Sequence, residues 1–215
     1  MAIASKLIMI GIVAISVLAG LISFYIMTDL PKDAKKRQIG ELTSSLINFI
    51  LFIWLGKIFA NWQIFISDPL AVLAYPSNSV AFYVAVLFSG AVLVYKSKYK
   101  KMKVLHFMDT FIHVFLMASF VYEFIQLVWN NNPFSLGYLV LFTMLLISYF
   151  LLQERLTTTK LIIVMLVGWS FGMVGISLCH PYITVFGYMI SPWFIGVFFL
   201  IGTFMIITNY RKRDK

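Results

Sequence analysis

The chain carries a single cysteine, Cys179, which rules out an internal disulfide and any metal cluster built from thiolates. Histidine is equally scarce. Of the three, His106 and His113 fall seven apart on one helical face and His180 lies in a loop, so no facing pair is available for a bis-histidine haem. Charged residues make up 12% of the chain against 61% hydrophobic, too little polar surface to coat a water-soluble globule of 215 residues. The longest gaps between apolar runs, Thr28–Glu41 and Ile66–Ser79, are too short for a soluble domain, which makes residues 1–215 one domain built in a bilayer. No internal repeat or low-complexity tract occurs, which argues against a transporter assembled from inverted halves.

Seven long apolar runs are present: Leu7–Met27, Leu42–Phe65, Val80–Tyr95, Val104–Trp129, Phe134–Leu152, Leu161–Leu178 and Ser191–Ile207. Their lengths are close to the ~20 residues that cross a ~30 Å hydrocarbon core as helix, and they lack the strict alternation of a barrel strand. Of the 17 Lys and Arg, all but Lys6 and Lys57 follow the first, third, fifth or seventh run. Segments after odd-numbered spans share one side of a membrane, and cytoplasmic loops collect Lys and Arg. The predicted fold is therefore an all-α membrane protein of seven transmembrane helices, N-terminus outside and C-terminus cytoplasmic. The net charge of +9 sits in short loops beside helix ends, where anionic headgroups attract it, and does not call for nucleic acid. The first run has only Lys6 before it and a basic loop after it, with no small-x-small cleavage site, and is expected to stay as the first helix. Ser191-Pro192 suits the start of the seventh helix, with Ser as cap and Pro in the first turn. Asp68-Pro69 and Tyr75-Pro76 bracket an apolar outer loop expected to lie in the membrane interface.

Ionisable residues inside apolar runs cost several kcal/mol unless paired or hydrated, so any chemistry is to be sought there. Lys57 lies in the second run; His106, Asp109, His113 and Glu123 lie in the fourth. At 100° per residue those four fall within one arc of about 100°, a stripe that faces protein or water and not lipid. Counting ~1.5 Å per residue from the cytoplasmic side puts Lys57 at ~22 Å and Glu123 at ~28 Å, both in the outer half, where they can form an ion pair. One reading makes Lys57–Glu123 an interhelical clamp and leaves Asp109, His106 and His113 bonding the wet cytoplasmic end. The other makes the set a polar cavity for a headgroup or proton. Small residues Ser89, Gly90, Ala91 and Gly168, Gly172, Gly175 suit close helix packing.

The span order and several local stretches resemble one family over nearly the whole chain, the prolipoprotein diacylglyceryl transferases. Leu55-Gly56-Lys57-Ile58-Phe59 resembles that family's small-residue-then-arginine stretch, with Lys57 at the arginine. Asp68-Pro69-Leu70, the basic hinge Tyr95–Lys103 with Asp109, Asn132-Pro133, Val167-Gly168 and Ser191-Pro192-Trp193 resemble further family stretches in order. The departures bear on activity. Where the family has His-Gly-Gly this chain has Ser79-Val80-Ala81-Phe82-Tyr83; Glu123 stands where an essential arginine would bind phosphate; and a second arginine falls at or near Phe171. A carboxylate repels the phosphate that a guanidinium fork would hold. The resemblance thus implies a divergent member of a bacterial cytoplasmic membrane, multi-pass, with no catalytic residue carried over, no cofactor and no metal. Its implied role is to bind a phospholipid such as phosphatidylglycerol, or a lipoprotein or other membrane partner, at the outer leaflet without the ordinary transfer chemistry. Two alternatives stand beside it: an active lipid-modifying transferase using His113 or Glu123 as base, and a small transport or scaffold subunit.

Overall fold

The computed structural model describes residues 2–69, 72, 78–100, 102–180 and 182–211. The described elements are helices α1 (Ala2–Met27), α2 (Lys32–Ala60), α3 (Trp62–Ser67), α4 (Ser79–Tyr99), α5 (Val104–Val128), α6 (Ser135–Leu152) and α7 (Thr158–Cys179). A two-stranded hairpin of β1 (Ile183–Val185) and β2 (Tyr188–Ile190) and a last helix, α8 (Pro192–Arg211), complete them. Six of the described helices, α1 from Leu7 onward, α2, α4, α5, α6 and α7, are long and apolar enough to cross a membrane; in α8 the apolar stretch Pro192–Ile201 is shorter. The protein is an all-α, multi-pass membrane protein.

Three local features differ from the sequence expectation. The segment Thr28–Glu41 is not a loop: α2 begins at Lys32, just after Pro31, because Asp33, Ala34, Lys35, Lys36, Arg37 and Gln38 form helix well and their charges can extend beyond the bilayer. The second apolar run breaks at Asn61, whose backbone N–H donates to the carbonyls of Lys57 and Ile58 at 3.1 and 3.2 Å and whose side-chain amide donates to Lys57 O at 3.0 Å. The connection before α8 folds as a hairpin. Most of the outer loop, residues 70, 71 and 73–77, lies outside the described residues, as do Lys101 and the charges after Arg211. Ser191 and Pro192 do open the last helix, where Phe194 N–H donates to Ser191 O at 3.0 Å.

Side-chain contacts fix how the helices run. Ser23 late in α1 meets His113 of α5, Gln38 early in α2 meets Thr110 of α5, and Asp109 early in α5 meets Tyr149 late in α6. Gly56 late in α2 lies against Ala81 early in α4, and Gly168 and Gly172 of α7 lie against Leu145 and Leu141 of α6. The links of α5 with α1, α2 and α6 and of α2 with α4 join an end to the start of an antiparallel neighbour or two starts of parallel ones, and α7 runs against α6, with Gly168 at Leu145 and Gly172 at Leu141. The three short basic connections, after α1, α4 and α6, therefore share one end of the bundle, here the basic end. The opposite end is the distal end. α5 is the hub: ten of its residues are buried, and α1, α2, α6 and α7 all touch it.

The outer surface is apolar along its length, with Leu18, Ile22, Leu87, Met144, Leu151, Phe171 and Leu178 among the exposed large side chains, as a lipid-facing wall requires. Exposed Trp62, Trp129 and Trp193 ring the distal end, and exposed Tyr25, Tyr95 and Tyr99 ring the basic end, the places where amphipathic rings meet headgroups. Hydroxyls of Ser16, Ser45, Thr143 and Ser170 bond the carbonyl four residues back, which satisfies them without leaving their own helix. At the basic end the Lys35 ammonium donates to Tyr25 O at 2.8 Å and lies 5.4 Å from that ring's centre, neutralising a terminal carbonyl of α1.

Close backbone approach sets two seams. A Cβ at Gly56 would stand 2.7 Å from Ala81 Cα and 2.8 Å from Ala81 O, and one at Gly20 would stand 2.6 Å from Val114 O. Backbone atoms cannot step aside as a side-chain tip can, so Gly56→Val is expected to cost about 1–3 kcal/mol through overpacking. Gly11→Ala, where nothing lies within 4 Å, should be neutral or mildly stabilising. Thermal unfolding in detergent checks both, and equal midpoints for the two variants would contradict the α2–α4 seam.

Candidate functional site

The polar side chains inside the bundle divide into two groups on α5. In the basic half, the Thr110 hydroxyl lies 2.7 Å from Gln38 Oε1 and 2.9 Å from His106 O. Ser23 Oγ and His113 Nε2 are 3.1 Å apart, and the Tyr149 hydroxyl donates to Asp109 Oδ1 at 2.9 Å. His113 is buried inside a box of rings, edge-on to Phe24, Tyr149 and Phe150 at 5.4–5.5 Å between centres. His106 is exposed and Asp109 half-buried, so the arc drawn from the sequence runs from surface to core. These contacts tie α1, α2 and α6 to α5 through Ser23, Gln38 and Tyr149.

The distal half is built around the hairpin. Ile183 pairs with Ile190, Thr184 with Met189 and Val185 with Tyr188, closing on the two residues Phe186 and Gly187. Both have positive φ, 48° and 81°, the mirror-image turn whose twist matches paired strands. Gly187 adopts that backbone without penalty, whereas Phe186 stores about 1–2 kcal/mol there. Its ring is driven in return onto α5, edge-on to Tyr122 at 5.4 Å and Phe115 at 6.0 Å. Ile183, Val185 and Ile190 are buried, and Tyr188 meets Phe82 of α4 at 5.3 Å. Two tyrosine hydroxyls take the free N–H groups at the hairpin's margins: Thr184 N donates to Tyr138 Oη at 3.0 Å, and Ser191 N donates to Tyr83 Oη at 2.8 Å.

Between the hairpin and the distal ends of α5 and α6 lies a pocket of about 120 Å³. Glu123, 4% exposed, is its carboxylate and is hydrogen-bonded to Ser135 at the start of α6. Gln126, Asn132 and Thr184 add hydrogen-bonding groups to the lining, and Tyr122, Phe134, Tyr138, His180 and Tyr182 add rings. His180 stands edge-on to Phe134 at 5.2 Å and is stacked with Tyr138 at 6.1 Å. Asn132 Oδ1 accepts from Phe134 N at 3.2 Å, and Asn131 before it has φ 49°, so a tight turn presents Phe134 and Ser135 to the pocket.

Of the five residues singled out from the sequence, only Glu123 lines this pocket. Lys57 is buried, one residue after Gly56, and is not among the residues that line this pocket. His113, Asp109 and His106 lie in the basic half. His180 and the tyrosines were not singled out. The signal for them was present in Ile183-Thr184-Val185 and Tyr188-Met189-Ile190, two β-prone triplets flanking Phe186-Gly187, which spell a hairpin. Among the described residues no group of three or more His, Cys, Asp or Glu could hold a metal ion. The chain matches no protein-family model, no curated protein and no solved structure.

The Tyr138 hydroxyl is the hairpin's anchor on α6. Tyr138→Phe removes it and leaves the Thr184 N–H without its acceptor, an expected loss of about 1–3 kcal/mol. Thermal unfolding reports the total, and faster amide exchange at Thr184 places it. Unchanged exchange at that amide would show that the hydroxyl does not hold the strand.

Proposed function

We propose that this protein is a membrane-embedded binding protein whose distal pocket receives the polar headgroup of a lipid, or of a lipidated partner, at the outer leaflet of a bacterial cytoplasmic membrane. The observation that carries the reading is a pocket with a buried carboxylate, amide and hydroxyl groups and several rings, set at the end of the bundle ringed by exposed tryptophans. Tryptophan rings collect at headgroup level, so the pocket stands at the depth where a headgroup would reach it. Its size also points to a headgroup. About 120 Å³ is ample for several water-sized groups and well below the ~300–1,000 Å³ of sites that engulf a drug-sized ligand.

The resemblance to the diacylglyceryl transferases supports the ligand class, an outer-leaflet amphiphile, and the side chains present argue against transfer chemistry. Stabilising a departing phosphate needs fixed cations. Glu123 occupies one expected arginine position, and Phe171, at the other, is 73% exposed on the lipid-facing wall. His113 and Glu123 are separated by ten residues of one helix, ~15 Å, too far to share a substrate as paired acid and base. A scaffold or transport role needs no such pocket, and an aromatic layer of Phe115, Phe142, Trp169 and Phe186 lies across the bundle between the two polar groups.

The proposal includes α8 as a seventh span and the charge-derived orientation, with the distal end outside. Cysteine at exposed Asn130 should label with an impermeant thiol reagent from outside, and cysteine at exposed Ser97 should not, in a Cys179→Ser background. Asn130 is preferable to Asn131, whose left-handed backbone would strain a cysteine. The reverse pattern would invert the topology and remove the outer-leaflet assignment.

Native mass spectrometry of protein released gently from membranes tests the pocket. A co-purifying lipid is expected, with its bound fraction falling at least severalfold in Thr184→Trp, which fills the pocket from the hairpin side. Equal occupancy in the two proteins would place the lipid elsewhere and sink the reading.

A further inference from the structure

We infer that the distal pocket selects an ammonium-bearing headgroup, the primary amine of an aminophospholipid, over an anionic one; this rests on the headgroup reading above. Among the described residues lining the pocket there is no Lys or Arg, and the one acidic side chain is Glu123. That carboxylate is buried, and Ser135 occupies only part of its accepting capacity, since two carboxylate oxygens offer about four lone-pair sites.

The rings around it complete the recognition chemistry. Buried Tyr122 and Tyr138, with Phe134 and His180 perpendicular to each other at 5.2 Å, line the same pocket as Glu123. A cation set over an aromatic face is attracted by its quadrupole, most strongly where water is excluded. The side-chain carbonyls of Gln126 and Asn132 already accept from Asn130 Nδ2 at 2.6 Å and Phe134 N at 3.2 Å, and each keeps a second lone pair for an N–H of a primary ammonium. An anion meets the opposite situation. Its approach is opposed by the carboxylate, and neither a guanidinium nor an ammonium is at hand in the lining to offset that. His180, the lining histidine, is half-buried. The zwitterion of an aminophospholipid can therefore seat its ammonium on Glu123 while its phosphate stays at the solvated mouth.

The test measures binding to the full-length protein in detergent with short-chain probes, dihexanoyl-phosphatidylethanolamine and dihexanoyl-phosphatidylglycerol, together with ethanolamine alone. The ethanolamine lipid is expected to bind at least tenfold more tightly than the glycerol lipid. E123Q keeps the shape and the bond to Ser135 while removing the charge, and should erase that preference. Ethanolamine alone binding as tightly as its lipid would keep the ammonium selectivity and assign it to a free amine. Equal or tighter binding of the glycerol lipid by the unaltered protein would overturn the inference whether or not E123Q folds, as would an unchanged preference in folded E123Q. Where the glycerol lipid binds equally or more tightly, abolition of that binding by Thr184→Trp would leave the headgroup pocket standing and remove only its selectivity, whereas insensitivity of every probe to Thr184→Trp would remove both.

Discussion

A two-residue turn in the left-handed region carries the distal end of this protein. A hairpin of two three-residue strands is not stable alone, and in a membrane protein its margins must find hydrogen-bond partners inside the structure. Here the backbone of Phe186 and Gly187 closes the strands with the right twist, and the strain at Phe186 is offset by its ring entering the bundle against Phe115 and Tyr122. The hydroxyls of Tyr83 and Tyr138 take the N–H groups that a two-stranded ladder leaves over. Without that wedge one wall of the pocket is missing, since His180, Tyr182, Thr184 and Gly187 all come from the segment it folds.

α5 gives the wedge something to press on. It is the most buried of the helices because four others surround it, and it carries polar groups at both ends of one face. Near the basic end, Thr110, Asp109 and His113 are consumed in fastening α1, α2 and α6. Near the distal end, Glu123 is fastened only through Ser135 and otherwise faces the pocket. The rings of Phe115, Phe142, Trp169 and Phe186 separate the two regions, so the helix is a structural hub below and a pocket wall above. A buried carboxylate used only for stability would be a poor choice, because apolar packing of equal volume does as well or better.

The charge pattern and the pocket answer to different fields. The basic connections face anionic headgroups on their own side, and at a distance of one bilayer their field is screened by salt within about 10 Å of the surface. The pocket at the other end is left with its own lining, in which Glu123 is the one acidic side chain. The selectivity proposed for it is therefore a property of the pocket and not of the protein's net charge of +9.

Period, length and charge asymmetry were enough to read helices in a bilayer, the basic end and the start of the last helix at Ser191-Pro192, because the hydrophobic effect and headgroup attraction act on residue type and spacing alone. The extension of α2 back to Lys32 was missed because a charged helix leaving the bilayer has no apolar signature. Partner choice was not legible either. Depth along a helix does not say which helices meet, and the close approach of Gly56 to Ala81, which joins α2 to α4, has no signature in hydropathy. Only the tertiary structure decided that His180, Tyr138 and Thr184 converge on Glu123, since they come from three elements whose meeting depends on a turn of two residues and on which backbones can approach closely, and neither is written in hydropathy.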